Sequence, residues 1–127
     1  MNLRRLIAGL DFRGTVEGQR QTYYVFEGEG FFFICSFSRR KKKAGNFNIV
    51  DLEAVRHADR LLGRRRRVTA QDLYQRSRSR RHVGSALEAL NILYVLVAQG
   101  RLRIDRRHKG RQLVFNANRP AARGRAG

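Results

Sequence analysis

The residues of this chain best suited to chemistry are its cations. "RRHKGR" carries Arg106, Arg107, Lys109 and Arg111 between two short apolar runs, Leu102/Ile104 and Leu113/Val114/Phe115, a pattern that predicts a β-hairpin with a basic tip. Three further runs have the same character. They are Arg39, Arg40, Lys41, Lys42 and Lys43 in "SRRKKKAG"; Arg64, Arg65, Arg66 and Arg67; and Arg76, Arg78, Arg80 and Arg81 in "RSRSRRH". Planar guanidinium forks suit phosphate oxygens better than ammonium point charges do, and Arg outnumbers Lys heavily here. With 28 Lys+Arg against 10 Asp+Glu in 127 residues, the formal net charge is +18. Self-repulsion on that scale favours polyanionic partners, nucleic acid first and an anionic membrane surface second.

Other chemistries find little support. Phosphodiester cleavage on Mg²⁺ needs at least two carboxylates converging on the metal. The candidates Asp11, Glu27, Glu29, Asp51 and Glu53 show no such pattern, and "EGE" lacks the Lys that would be wanted two residues on. "GEGFFF" is not followed by Lys-Ser/Thr and so is no P-loop. The single Cys35, in "FFFICSF", excludes an intrachain disulfide and reads as a small buried hydrophobe. His57, His82 and His108 have no local carboxylate or thiol to complete a ligand set. We therefore expect no enzyme, no metal and no cofactor. No run reaches the ~20 apolar residues of a membrane span, and the start "MNLRRLIAGL" is too brief for a signal h-region. The expected location is cytoplasmic.

The elements that position the cations follow from periodicity. Leu3, Leu6, Ile7 and Leu10 predict a short helix over residues 1–14, broken at Gly14. "QRQTYYVFEG", "EGFFFICSFS" and "NFNIV" predict three antiparallel strands, the first two joined by Glu27-Gly28-Glu29-Gly30. Phe31, Phe33, Cys35 and Phe37 fall on one face and Phe32, Ile34 and Ser36 on the other, so both faces are covered or one of them stacks bases. Tyr23, Phe26, Phe31 and Phe33 are taken as core. Asp51 is placed to cap a helix through Leu52, Val55, Ala58 and Leu62 that ends at Gly63. Thr69 with Asp72 makes a capping box for "AQDLYQRS", and Ser85 with Glu88 makes another for "ALEALNILYVLVAQ". The latter helix has the stripe Leu87, Leu90, Leu93/Tyr94 and Val97. Ile92 and Val95 lie off the stripe and demand a second cover, either the N-terminal sheet or a dimer mate. The tail "RPAARGRAG" (119–127) is expected to be a disordered basic extension.

In order, residues 51–118 read helix, short strand, capped helix, basic turn, longer helix, hairpin. With "VTAQDL", "LEALNILYVLVAQGRL" and "GRQLVFNAN" in those places, the segment resembles the winged helix-turn-helix superfamily, in particular small winged-helix modules of phage and plasmid replication proteins. Leu73 to Gly100 is several residues longer than in compact members. The resemblance implies an α+β fold with a C-terminal winged helix-turn-helix at 51–118. An N-terminal helix and three-stranded β-rich element at 1–50 would pack against it.

It further implies a nucleic-acid-binding protein in which the hairpin wing touches phosphates and the last helix faces the major groove. Ser85 and Asn91 are then the polar groups on that helix, although Ser85 is more simply a cap. With so few base-reading side chains, the expectation is binding to duplex DNA, mainly through phosphates and with low sequence specificity. An RNA-binding or ribonucleoprotein component and a winged-helix protein-interaction adaptor stand as alternatives, with a homodimer possible. Replication, transcriptional control and DNA packaging are the processes such a protein serves.

Overall fold

The computed structural model describes residues 8–38 and 44–118. Alternating apolar residues and tight turns fold the first part into a four-stranded antiparallel meander in the order β1 (Asp11–Glu17), β2 (Gln21–Glu27), β3 (Phe31–Ser38) and β4 (Ala44–Asp51). Gly18 N–H closes the first turn on Gln21 O (2.9 Å) and Gly28 N–H the second on Phe31 O (2.9 Å). A side chain at Gly18 is excluded, because its Cβ would lie 2.6 Å from the Tyr23 ring.

The helix expected over 1–14 does not extend to its C-terminal part: Asp11–Glu17 is the first edge strand, bringing the strand count to four. Pairing of Thr15 with Tyr24 and Val16 with Tyr23 wins over the leucine spacing, and Gly14 sits beside a bulge in the strand. Residues 1–7, and with them Leu3, Leu6 and Ile7, lie outside the described residues.

One face of the sheet carries Val16, Val25, Phe32, Ile34 and Val50, all buried. Against it packs α3 (Ala86–Ala98), which touches all four strands. On the far side of α3 lie α1 (Leu52–Leu62) and α2 (Ala70–Arg76). Helix α1 buries Val55, Ala58 and Leu62 as expected, together with Ala54, while Leu52 is half-buried. The Asp51 side chain makes no capping bond. Instead the first amide of α1, Leu52 N–H, donates to Gly30 O (3.1 Å), so the sheet rather than a side chain receives the helix start.

The Thr69–Asp72 capping box is complete, with Asp72 N–H on Thr69 Oγ1 (3.1 Å) and Thr69 N–H on Asp72 Oδ2 (3.0 Å). At α3 only half the reciprocal box forms. Ser85 Oγ accepts from Glu88 N–H (3.1 Å), while the Glu88 carboxylate takes Gly84 N–H (3.3 Å). A short hairpin, β5 (Leu102–Ile104) with β6 (Phe115–Ala117), is the last of the described elements, and Val68 joins it through paired 2.8 Å bonds with Phe115.

The apolar residues from both sides of residue 50 form one core. Ile92 and Val95 are inside it, at 1% and 0% exposure, which removes them as an adaptor or dimer contact. The buried side of α3 also differs from the expected stripe. Every residue from Asn91 to Leu96 is buried, Leu90 and Val97 are half-buried, and Leu87 is 63% exposed. Tyr23 faces inward and stacks on Tyr94 at 4.3 Å, whereas Phe26 pairs with exposed Phe12 (5.3 Å) on the opposite face of the sheet.

Leu93→Ala should therefore cost about 2–5 kcal/mol, the range for a fully buried leucine. Leu90→Ala should cost visibly less. Urea unfolding of both variants measures the difference, and equal losses would mean that the two positions are equally enclosed.

Candidate nucleic-acid interface

The loop between β5 and β6 is closed by Asp105. Its N–H donates to Val114 O (2.8 Å), its carbonyl accepts from His108 N–H (3.3 Å), and its carboxylate accepts from Arg107 N–H (3.0 Å). The Asp105 carboxyl is held below the usual carboxylate range, first by that backbone bond and then by the Arg107 and Arg67 guanidiniums. With its carboxylate spent on the turn, the loop, which would be the wing of the resembling family, presents Arg106, Arg107, Lys109 and Arg111 to solvent. Arg107 alone of these four has a carboxylate in reach, Asp105 at 3.7 Å.

The wing is not a free flap. Gln19, in the β1–β2 turn, donates from Nε2 to Arg111 O (3.0 Å) and Gly110 O (3.3 Å) and ties the tip to the sheet. Between them lies a hollow of about 390 Å³ lined by Gln19, Arg106, His108, Lys109 and Gln112.

Arg64, Arg65, Arg66 and Arg67 are exposed in the segment that leads to Val68, at the base of the hairpin. Arg67 stands at φ 58°, a left-handed conformation that a side chain seldom adopts. Its N–H donates to the Oδ1 of buried Asn116 (2.8 Å), and Arg65 O accepts from Ala117 N–H (3.1 Å). These bonds hold the run against β6, so two basic segments far apart in sequence share one end of the molecule. Arg103 adds to them, its exposed side chain donating to Ala117 O (3.1 Å) and Asn118 Oδ1 (3.2 Å).

The turn between α2 and α3 divides its cations. Arg76, Arg78 and Arg81 are exposed. Arg80 is a clamp: it donates to Tyr74 O (2.8 Å) and Val83 O (3.3 Å) and lies 3.9 Å over the Tyr74 ring. Beneath this turn, the His57 and His82 rings stack at 4.9 Å. His57 Nε2 is 2.8 Å from Ser77 Oγ and His82 Nδ1 is 3.0 Å from Ser79 Oγ, which pins the turn to α1. The pair was invisible in sequence, because the two histidines are 25 residues apart.

On α3, Ser85 is spent as the cap. Asn91, expected to face a base, is instead 5% exposed, with Nδ2 donating to Leu87 O (3.1 Å). The helix carrying it is enclosed between sheet and helices, so only its first turn is open. Arg39 to Lys43 lie outside the described residues.

Charge is segregated along the chain. Seventeen of the 28 basic residues follow Gly63, against three of the ten carboxylates. The described carboxylates of the sheet and α1 are partly neutralised, Glu27 by Arg13 (2.8 Å), Glu53 by Arg56 (3.0 Å) and Asp59 by Arg101 (3.6 Å). Among the described residues no His/Cys/Asp/Glu group could hold a metal ion. No described helix is long and apolar enough to cross a membrane. No family model, curated protein or solved structure matches the chain.

Burial lowers the His57 pKa from its ordinary 6.5, with the charges of His82 and Arg60 adding to the effect. The unfolded chain therefore takes up the proton first. The stability that neutral His57 confers is complete above about pH 6.5 and is lost as pH falls through that value and on through the folded one. Thermal unfolding between pH 7.5 and 5 should show this loss, and His57→Gln should flatten it. An unchanged profile in that variant would assign the loss to other groups.

Proposed function

We propose that this chain is a nucleic-acid-binding protein that grips the phosphate backbone with a winged-helix module, most favourably on duplex DNA and with low sequence specificity. The observation that carries the reading is the exposed, almost unneutralised wing of Arg106, Arg107, Lys109 and Arg111 beside Arg64–Arg67. The order α1, Val68 bridge, α2, α3, β5, β6 supports the winged-helix assignment, since the strand before α2 pairs with the strand that returns from the wing. Enclosure of α3 favours contacts along the backbone over a helix laid deep in the groove. Affinity then comes chiefly from counterion release, and the protein acts without catalysis or cofactor.

A second reading, RNA or single-strand binding, is favoured by one observation. The outer face of the sheet exposes Phe12 (54%), Phe47 (44%) and Ile49 (64%), apolar surface on which bases stack.

Replacing Arg106, Arg107, Lys109 and Arg111 together with Ala should weaken duplex binding and reduce the salt dependence by about 0.9 in log–log slope per lost phosphate contact. Fluorescence anisotropy across a salt series measures both. A slope identical to that of the unaltered protein would remove the wing from the interface.

A further inference from the structure

We propose that the groove between the inner face of the sheet and α3 holds one unpaired nucleobase of a strand whose phosphates lie along the wing; this rests on the nucleic-acid reading above. The groove encloses about 290 Å³ and is lined by Gln21 and Asn48 from the strands, Asn91 from α3, and the rings of Tyr23 and Tyr94. Pockets for small molecules run from roughly 300 to 1,000 Å³, so the space suits a single planar heterocycle rather than a whole nucleotide.

Its chemistry differs from that of every basic surface described above. Among the described residues no charged side chain lines it. The recognition groups are neutral amides beside the stacked rings of Tyr23 and Tyr94, and amides next to an aromatic surface are what proteins use to read an unpaired base.

Asn91 is the residue that calls for a ligand. It is 5% exposed, and its one hydrogen bond is the Nδ2 donation to Leu87 O. Its Oδ1 meets no donor among the described residues. A buried amide carbonyl without a partner is a costly arrangement that folded proteins rarely keep. Because Asn91 lines the groove, a ring N–H or exocyclic amine entering there would supply the missing donor. Half-buried Gln21 and exposed Asn48 offer further donors and acceptors from the sheet side.

The groove also connects to the wing. It shares Leu90 and Tyr94 with a smaller hollow of about 150 Å³ that reaches Arg111. That hollow shares Gln19, Gln112 and Leu113 with the one containing Arg106, His108 and Lys109. The three lie side by side, uncharged among the described residues at one end and mainly cationic, with Asp105, at the other. A strand with its base at the first end and its phosphates at the second would match that gradient.

The test uses the full chain and compares a short single-stranded DNA, an abasic strand of the same length and a matched duplex, with adenosine and cytidine titrated separately into ¹⁵N-labelled protein. The expected result is a base-bearing strand bound roughly tenfold more tightly than the abasic one, the scale of one stacked base. Asn91→Leu and Asn48→Ala should each remove most of that advantage without altering the salt slope. Asn48 is exposed, so its variant keeps the test valid if Asn91→Leu does not fold.

Equal affinity for base-bearing and abasic strands would overturn the base site and leave phosphate binding intact. Failure to bind any strand would overturn the nucleic-acid reading. Nucleoside titration then judges the groove alone: shifts of the Asn91 side-chain amide support a base site, and their absence overturns it.

Discussion

Helix α3 is apolar on nearly its whole circumference from Asn91 onward, and such a helix has to be covered on opposite sides. Everything else in the molecule answers that requirement. The sheet supplies one wall with Val16, Val25, Phe32, Ile34 and Val50, and α1 and α2 supply the other with Ala54, Val55, Ala58 and Leu73. The two parts of the chain on either side of residue 50 are therefore halves of one core. Tyr94 shows the double duty most clearly. It stacks on Tyr23 of the sheet, meets Phe115 of the hairpin edge-on at 6.3 Å, and has its phenol pKa pushed up, first by burial and then by Tyr23.

Enclosing α3 has a cost for recognition and an advantage for positioning. The helix that would enter a major groove in the resembling family is used here as the central beam. On the proposed reading, surface recognition would pass to what the beam supports: the β5–β6 loop, the Arg64–Arg67 segment and the turn before Ser85. Gln19 and Asn116 near the wing and Ser77 and Ser79 at the turn fix them through neutral groups, beside the charged Asp105 and the Arg80 clamp. Anchoring by neutral groups leaves cationic side chains unspent.

Much of this was legible from local pattern. Alternation gave β2 through β4, the Thr69–Asp72 spacing gave the start of α2, and Gly63 and Gly100 marked helix ends. The need to cover Ile92 and Val95 was legible too. Features set by distant partners were not. The leucine spacing near the N-terminus concealed β1, which exists because β2 offers it an edge. Gln19 reaches a carbonyl 92 residues away, and no local rule ties it to the wing. Asn91 followed the helical wheel to a polar face that the sheet then buried, and Arg80 looked like its neighbours until Tyr74 claimed it. Composition located the charge without saying which cations the fold itself consumes.

The lopsided placement of charge, with seventeen basic residues and only three carboxylates after Gly63, has a kinetic meaning apart from any contact it makes. The wing and Arg64–Arg67 share one end of the molecule, and on the proposed reading that end would be drawn toward a polyanion before the surfaces meet. Random collision of two specific patches is slow because most encounters are misoriented, and such steering removes much of that penalty. On that reading the asymmetry would bias the orientation of approach while the partners are still separated by solvent.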